Sequence, residues 1–339
     1  MRILENVSLK EYTTFHIGGN ADFFVDVHSV AELQEALEYA ETHSLTVTVL
    51  GGGSNVLVSD DGVRGLVIRI CILGIEFETH GNTHVRATVG AGVVWDEFVL
   101  ETVTAGLWGI ENLSAIPGSV GATPVQNVGA YGVEVSSVID SVDVYDTETM
   151  GAKTLTHNEC EFGYRSSLFK EDGGKKYIIT NVNFMLSKQE NPKLTYKDLG
   201  AFFKDVPTPS LIDTRNAVIS IRSKKFPDLG RVGTAGSFFK NPIIGEEKFE
   251  TLKITYPELP GFPDQKGNVK IALGWILDKG LSLRGFCEGD VCTYEGQALV
   301  IVNKKNATAH DVKIFAEKIQ AQVKKVFDIS IEWEVTFLK

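Results

Sequence analysis

The sequence predicts an α+β protein of two or three domains, and three observations carry that reading. A chain of 339 residues is too long for one ordinary core. The order of elements changes along it: helix and strand alternate at the start, antiparallel strands fill the middle, and helix and strand mix again at the end. One doubly wound sheet would alternate throughout. Two glycine-rich stretches break the pattern, Gly51-Gly52-Gly53-Ser54-Asn55 and Ile116-Pro117-Gly118-Ser119-Val120-Gly121, the second running on to Gly132.

Ser29-Val30-Ala31-Glu32 is a capping box, and Leu33, Ala36, Leu37 and Ala40 recur behind it on one helical face. Thr46 to Leu50 reads as a strand that runs into the first glycine loop. Leu66 to Ile70 and His84 to Val89 read as further strands. Trp95, Phe98, Val99 and Val103 have helical spacing, and Gly106 ends that helix. From Gly109 to Gly132 neither helix nor strand fits. So long an irregular stretch is functional or disordered, and Ile110, Leu113, Ile116, Val120, Val125, Val128 and Tyr131 carry too much apolar surface for disorder.

Val138 to Tyr145 and Tyr177 to Leu186 alternate like half-buried antiparallel strands. Thr208 caps a helix with Pro209 at its first position, carrying Ile212, Val218 and Ile219 and ending before Pro227. A helix over Ile271 to Lys279 and a strand over Gln297 to Asn303 follow. Thr308 caps a long helix that buries Val312, Phe315, Ile319, Val323 and Val326. Ser330 to Phe337 closes the chain as a strand, with Ile331, Trp333, Val335 and Phe337 on one face and Glu332 and Glu334 on the other.

Composition narrows the function. An apolar fraction of 43% and a charged fraction of 23% belong to a globular protein. A net charge of −11 without a basic run argues against nucleic-acid binding. No apolar run is long enough to span a bilayer, and the first six residues hold no apolar signal core, so a cytoplasmic setting is expected. Cys71, Cys160, Cys287 and Cys292 are few and scattered, which favours reduced thiols over a disulfide framework. Their spacing gives no metal site.

The first glycine loop follows a strand, yet Val56 stands at the third glycine position of a dinucleotide fingerprint, and Ser59-Asp60-Asp61-Gly62 is a turn rather than a helix. No Gly-Lys-Ser/Thr follows either loop, so a P-loop is excluded. Two readings remain: a nest of backbone amides for pyrophosphate, or a tight turn. Ser237, between Gly236 and Phe238-Phe239, is either held for chemistry or simply ends a strand. It lacks a hydrolase elbow. Arg165, in Phe162-Gly163-Tyr164-Arg165, can fork onto a carboxylate or lie on the surface.

Taken together, these segments resemble the UDP-N-acetylenolpyruvoylglucosamine reductase family of peptidoglycan precursor synthesis. The resemblance is carried by Thr13 to Gly19, Gly51 to Val58, Glu111 to Gly132, Phe162 to Arg165, Leu194-Thr195-Tyr196-Lys197-Asp198-Leu199, Gly236 to Pro242 and Gln297 to Val300, in order and over nearly the whole chain. The Leu-Thr-Tyr segment matches the subtype whose extra loop closes over substrate. The resemblance implies three domains, placed at 1–72, 73–224 and 225–339. The first two form a two-part, vanillyl-alcohol-oxidase (PCMH) type region for non-covalent FAD, and the third is an α+β domain for substrate.

It further implies that NADPH reduces the flavin and that an enolpyruvyl UDP-sugar is then reduced. Gly51, Gly52, Gly53, Ser54, Asn55, Pro117, Gly118, Ser119, Gly121, Asn127, Gly129 and Tyr131 would hold FAD. Arg165 would stabilise the substrate carboxylate, Ser237 would donate a proton, and Glu332 would be the catalytic glutamate. Tyr196, Lys225, Asn241, Arg284 and Gln297 would hold the UDP-sugar. Family members are often monomers. Arg284 stands where lysine is more usual and Trp333 where proline is. The alternatives are a related FAD oxidase of a small alcohol and a UDP-sugar-binding regulator without catalysis.

Overall fold

The computed structural model describes residues 1–206, 208–264 and 266–339. The chain divides into two compact units. Unit 1 comprises Met1–Val7, Ala21–Gly53 and Arg64–Arg222; unit 2 comprises Ser8–Asn20, Ser54–Val63 and Ser223–Lys339. In chain order the elements are β1 Leu4–Ser8, β2 Asn20–Val27, α1 Val30–Thr42, β3 Val47–Leu50, β4 Val56–Val58, β5 Val63–Ile70, β6 Ile75–His80, β7 His84–Gly90 and α2 Trp95–Thr104. Then come β8 Gly129–Ala130, β9 Val133–Glu134, β10 Ile139–Asp146, β11 Gly151–Thr156, β12 Tyr177–Ser187, α3 Lys197–Phe202 and α4 Leu211–Lys225. The last part holds β13 Gly233–Ser237, β14 Ile243–Gly245, α5 Glu246–Thr255, β15 Gly261–Pro263, β16 Asn268–Ile271, α6 Leu273–Trp275, β17 Cys287–Glu288, β18 Val291–Thr293, β19 Val300–Asn303, α7 Ala309–Phe327 and β20 Thr336–Leu338. The fold is α+β.

Unit 1 carries a sheet ordered β1-β2-β5-β3 and an antiparallel sheet ordered β11-β10-β12-β7-β6. α1 begins where its capping residue dictates: Glu32 N–H donates to Ser29 Oγ at 3.1 Å. Its buried stripe is Leu33, Ala36, Leu37 and Ala40, the periodic positions of the sequence. α2 buries Trp95, Phe98, Val99 and Val103, and the Phe98 ring lies 4.9 Å from that of Phe184 on β12. That contact fixes the N-terminus of α2 over the antiparallel sheet.

Unit 2 carries sheets ordered β13-β19-β18-β17 and β14-β16-β15, and a parallel pair of β4 and β20. Thr308 and Asp311 make a reciprocal capping box on α7. Both carboxylate oxygens of Asp60 accept from the first α7 amides, Ala309 at 2.8 Å and His310 at 2.9 Å, which also suits the helix dipole. α7 buries Val312, Phe315, Ile319 and Val323, but Val326 is exposed, contrary to expectation.

Several expectations change. α4 starts at Leu211, not at Pro209, because Ser210 caps it: Asp213 N–H donates to Ser210 Oγ at 3.2 Å. Its buried stripe includes Leu211, Thr214, Ala217 and Val218, which leaves Ile212 exposed. Ile271 closes β16, and the helix after it starts at Leu273, where Asn241 Oδ1 accepts the Leu273 N–H at 3.0 Å. Gln297 lies in the turn before β19. Of the closing strand only Thr336–Leu338 is regular; before it, Trp333 forms a single antiparallel bridge with Phe239. Cys287 and Cys292 are disulfide-bonded, contrary to the reduced thiols expected. A Gly289-Asp290 turn sets them directly opposite each other on β17 and β18.

Among the described residues no helix is long and apolar enough to cross a membrane, and no group of His, Cys, Asp and Glu could hold a metal ion.

Candidate active site

The two glycine loops meet inside unit 1. A Cβ on Gly52 would lie 2.8 Å from Gly118 Cα, and one on Gly51 would lie 2.7 Å from Ser119 Oγ. At Gly52 glycine is required by the close approach of two backbones. Ser119 is 5% exposed, and its Oγ is buried with no hydrogen-bond partner. A buried hydroxyl without a partner at the meeting point of two glycine loops fits a phosphate-bearing ligand. The residues present therefore fit FAD. Gly52→Ala forces the two backbones apart at a strain cost of about 1–3 kcal/mol. It is expected to weaken FAD binding about tenfold or more. Gly173→Ala, whose Cβ meets nothing within 4 Å, is expected to leave it unchanged. The ratio of flavin to protein absorbance after dialysis reads both.

The second loop is pinned by the segment leading into α2. Trp95 Nε1 donates to Leu113 O at 2.9 Å and Trp95 N–H to Gly118 O at 3.0 Å. Val120 N–H donates to Val93 O, and Gly121 N–H to Ala91 O. Trp95 had only the reading of a core residue in the sequence; here its ring and backbone both shape the loop. Gly121 also packs against Ala91, whose Cβ would be 2.5 Å from any Cβ added at position 121.

The wall from Asn127 to Tyr131 is tied to Arg165, also within unit 1. Asn127 is 1% exposed; its Nδ2 donates to Gly163 O and to Glu134 Oε2, each at 3.0 Å, and its Oδ1 accepts from Ser136 N–H. Arg165 Nη2 donates to Gly129 O at 2.6 Å, and its guanidinium lies 5.5 Å from the Tyr164 ring centroid. Ala115, Asn127, Tyr131 and Arg165 all have φ between 44° and 58°. Left-handed non-glycine residues cost free energy and gather where geometry serves function. Tyr131 is buried against Tyr196, ring centroids 5.2 Å apart. Asn112 Nδ2 joins Tyr131 O to Lys193 O, so the loop before Tyr196 is fastened to this wall. Asn112 escaped the reading of single residues because its partners are 19 and 81 positions away.

The first glycine loop divides: Gly51 to Gly53 belong to unit 1, Ser54 and Asn55 to unit 2. In unit 2, Ser237 ends β13 opposite Val300 of β19, after an irregularity that starts at Thr234. Gly236 has φ 77°, and Thr234 Oγ1 accepts from Gly236 N–H and donates to Ile301 O. Phe238 and Phe239 are fully buried, so the backbone beside Ser237 is rigid.

The closing segment pairs with this one: Glu334 N–H donates to Phe238 O at 2.8 Å and Lys240 N–H to Glu332 O at 3.0 Å. Asn55 Nδ2 donates to Glu334 O at 3.1 Å. The two glutamates, equivalent by alternation, are unlike here. The Glu332 side chain is 77% exposed and its Oε2 lies 3.1 Å from Lys240 Nζ. Glu334 is half-buried and bound through its backbone both to the residue after Ser237 and to Asn55.

Of the expected UDP-sugar residues in unit 2, Asn241 and Gln297 lie at the start of α6. Asn241 caps it. Gln297 Oε1 lies 2.9 Å from where a Cβ on Gly274 would stand. Arg284 Nε and Nη2 donate to Glu295 O and Gly296 O, and Nη1 to Asp278 Oδ2 at 3.4 Å. Arg284 thus braces the turn that carries Gln297. Lys225 is half-buried at the end of α4, and Tyr196 lies in unit 1.

Known proteins resemble this chain over its full length. A family profile described as FAD binding domain matches residues 21–149, and one described as UDP-N-acetylenolpyruvoylglucosamine reductase, C-terminal domain, matches residues 228–338. A UDP-N-acetylenolpyruvoylglucosamine reductase of Neisseria meningitidis serogroup B is 40% identical over 333 residues, covering 97% of this chain and 96% of that protein. One of Flavobacterium johnsoniae is 39% identical over 341 residues, covering 100% of both. The crystal structure of UDP-N-acetylenolpyruvylglucosamine reductase from Thermus caldophilus superposes with a TM-score of 0.70 at 27% identity, covering 100% of both chains.

Proposed function

The chain belongs to the UDP-N-acetylenolpyruvoylglucosamine reductase family, and from that premise we propose which of its residues carry the reaction and how. It is an FAD-containing, NADPH-dependent oxidoreductase that reduces the enolpyruvyl group of UDP-N-acetylglucosamine enolpyruvate to give UDP-N-acetylmuramate, a peptidoglycan precursor. The observation that carries the assignment is the meeting of the two glycine loops around the unpartnered Ser119 hydroxyl.

Gly51, Gly52, Gly53, Pro117, Gly118, Ser119, Gly121, Asn127, Gly129 and Tyr131 of unit 1, with Ser54 and Asn55 of unit 2, would hold FAD. When bound, FAD accepts hydride from NADPH and supplies it to the enolpyruvyl double bond. Reduction at the carbon β to the carboxylate throws enolate charge onto the carboxylate and the α-carbon. Arg165 would meet that charge with its guanidinium, whose position Gly129 O fixes. Ser237 would give its hydroxyl proton to the α-carbon. Serine is a weak acid in water, so only a strongly basic enolate draws this proton.

The acid partner is better read as Glu334 than as Glu332. A carboxyl that donates to a developing enolate needs shelter from water, and Glu332 is largely solvated beside Lys240. Half-buried Glu334, tied to Phe238 and Asn55, meets that need. Tyr196, Lys225, Asn241, Arg284 and Gln297 would hold the UDP-sugar, with Arg284 acting through the turn it braces as much as by direct charge.

We read the unit 1 parts of 1–72 and of 73–224 as two subdomains of the FAD region, a division supported by the separate sheets of unit 1, and 225–339 as the substrate domain, to whose unit Ser8–Asn20 and Ser54–Val63 also belong. A monomer in the cytoplasm, acting on a small UDP-sugar and not on nucleic acid, is the setting we propose. Steady-state turnover tests the assignment. NADPH is expected to be consumed at a rate set by the enolpyruvyl UDP-sugar. NADPH consumption indifferent to that compound, with oxygen taken up when a small alcohol is added in the absence of NADPH, favours the oxidase instead.

A further inference from the structure

We propose that Asp96 and Arg215 form a positioning pair for FAD, holding the second glycine loop in its receiving shape through the backbone of Ala115. The inference rests on the FAD reading above. Asp96 stands in the first turn of α2. Its Oδ1 accepts the Ala115 N–H at 2.5 Å and Arg215 Nη1 at 2.6 Å, and its Oδ2 accepts Arg215 Nη2 at 2.8 Å. This is a two-pronged guanidinium–carboxylate clasp, strong and directional. Arg215 lies on the buried stripe of α4 and is 7% exposed. Burial alone would push the Asp96 carboxyl up, but the Arg215 guanidinium and the Ala115 amide, with the Arg222 charge, hold it below the usual carboxylate range.

What the pair grips matters more than its strength. Ala115 has φ 58°, a left-handed conformation that an alanine leaves unless its surroundings over-determine it. Its N–H is taken by Asp96. Its C=O accepts from Arg222 Nε at 3.1 Å, two helical turns along α4 from Arg215. Both polar groups of one strained residue are therefore fixed by α2 and α4. That residue stands directly before Ile116-Pro117-Gly118-Ser119, the loop that packs on Gly51 and Gly52. Release of Ala115 to an ordinary conformation redirects the chain into the loop and separates Gly118 and Ser119 from their partners. None of this was legible from spacing, because Asp96 and Arg215 are 119 residues apart.

A buried ion pair is weak evidence for stability, and replacing both members with apolar residues is often neutral. The double variant Asp96→Leu/Arg215→Leu therefore separates positioning from bulk stability. The thermal midpoint of its apoprotein is expected within about 4 °C of wild type. Its FAD dissociation constant is expected to rise about tenfold, the scale of losing a charged acceptor. Glycine at position 115 adopts the left-handed conformation without strain. Ala115→Gly added to the double variant is accordingly expected to recover part of the lost affinity, a coupling that a purely structural pair would not show. If the double variant does not fold, Arg215→Lys serves: it keeps the charge, loses the fork, and is expected to raise the FAD dissociation constant about threefold with the apoprotein midpoint unchanged.

FAD affinity within about twofold of wild type in these variants, read by flavin fluorescence titration, overturns the proposal. So does a loss of affinity that merely follows a loss of apoprotein stability. A wild-type protein that takes up no FAD overturns the functional reading itself and the inference with it; a yellow wild type with equally yellow variants overturns the inference alone.

Discussion

Ser237→Ala is expected to leave the bleaching of the yellow absorbance by NADPH within about twofold of wild type, while slowing reduction of the enolpyruvyl group by about 10²–10⁴. The asymmetry follows from where the hydroxyl acts. Its proton is required only when the α-carbon of the substrate becomes basic. The substitution itself is mild. Ser237 is half-buried at the end of β13, and its backbone is set by the Val300 pairing and by the Phe238 N–H, which donates to Leu299 O at 2.9 Å. Removing one oxygen disturbs none of that, and buried Phe238 and Phe239 keep the strand in place. Equal slowing of both half-reactions would mean that Ser237 supports the fold or the cofactor and is not the proton donor.

Glu334→Gln is expected to slow the same half-reaction by about 10²–10³, and Glu332→Gln to change it by less than about threefold. The second figure follows because an exposed pair such as Glu332 with Lys240 is worth about 1 kcal/mol or less. Glutamine at position 334 keeps the shape and leaves the backbone bonds to Phe238 and Asn55 intact. Bound flavin should therefore be retained, and a variant that loses only its colour places Glu334 with the cofactor and not with the chemistry. The reverse pattern, a large effect at position 332 and none at 334, would make Glu332 the acid.

Alternation puts Glu332 and Glu334 on one face of a strand and cannot separate them. They differ because Trp333 bridges Phe239, which leaves one glutamate beside Lys240 in water and the other against Phe238 and Asn55. The glycine loops were legible because glycine is the only residue that permits two backbones to approach as Gly52 and Gly118 do. The caps of α1 and α7 were legible because capping is local. Asn112, Asp96 and Arg215 were not, since what each does depends on a partner far along the chain. Asn241 was expected to face substrate, and its side-chain oxygen is engaged at Leu273 N–H. The Cys287–Cys292 bond is invisible in the spacing of four scattered cysteines, because it depends on a two-residue Gly-Asp turn that sets two of them face to face.

The most direct measurement is a single turnover without oxygen. The purified protein is mixed with one equivalent of NADPH, then with UDP-N-acetylglucosamine enolpyruvate, while absorbance near the flavin band is followed. The account predicts a yellow protein that bleaches with NADPH and regains its colour only on addition of the enolpyruvyl compound, with UDP-N-acetylglucosamine itself giving no return. A colourless protein, or colour that returns with air alone and ignores the enolpyruvyl compound, would contradict it.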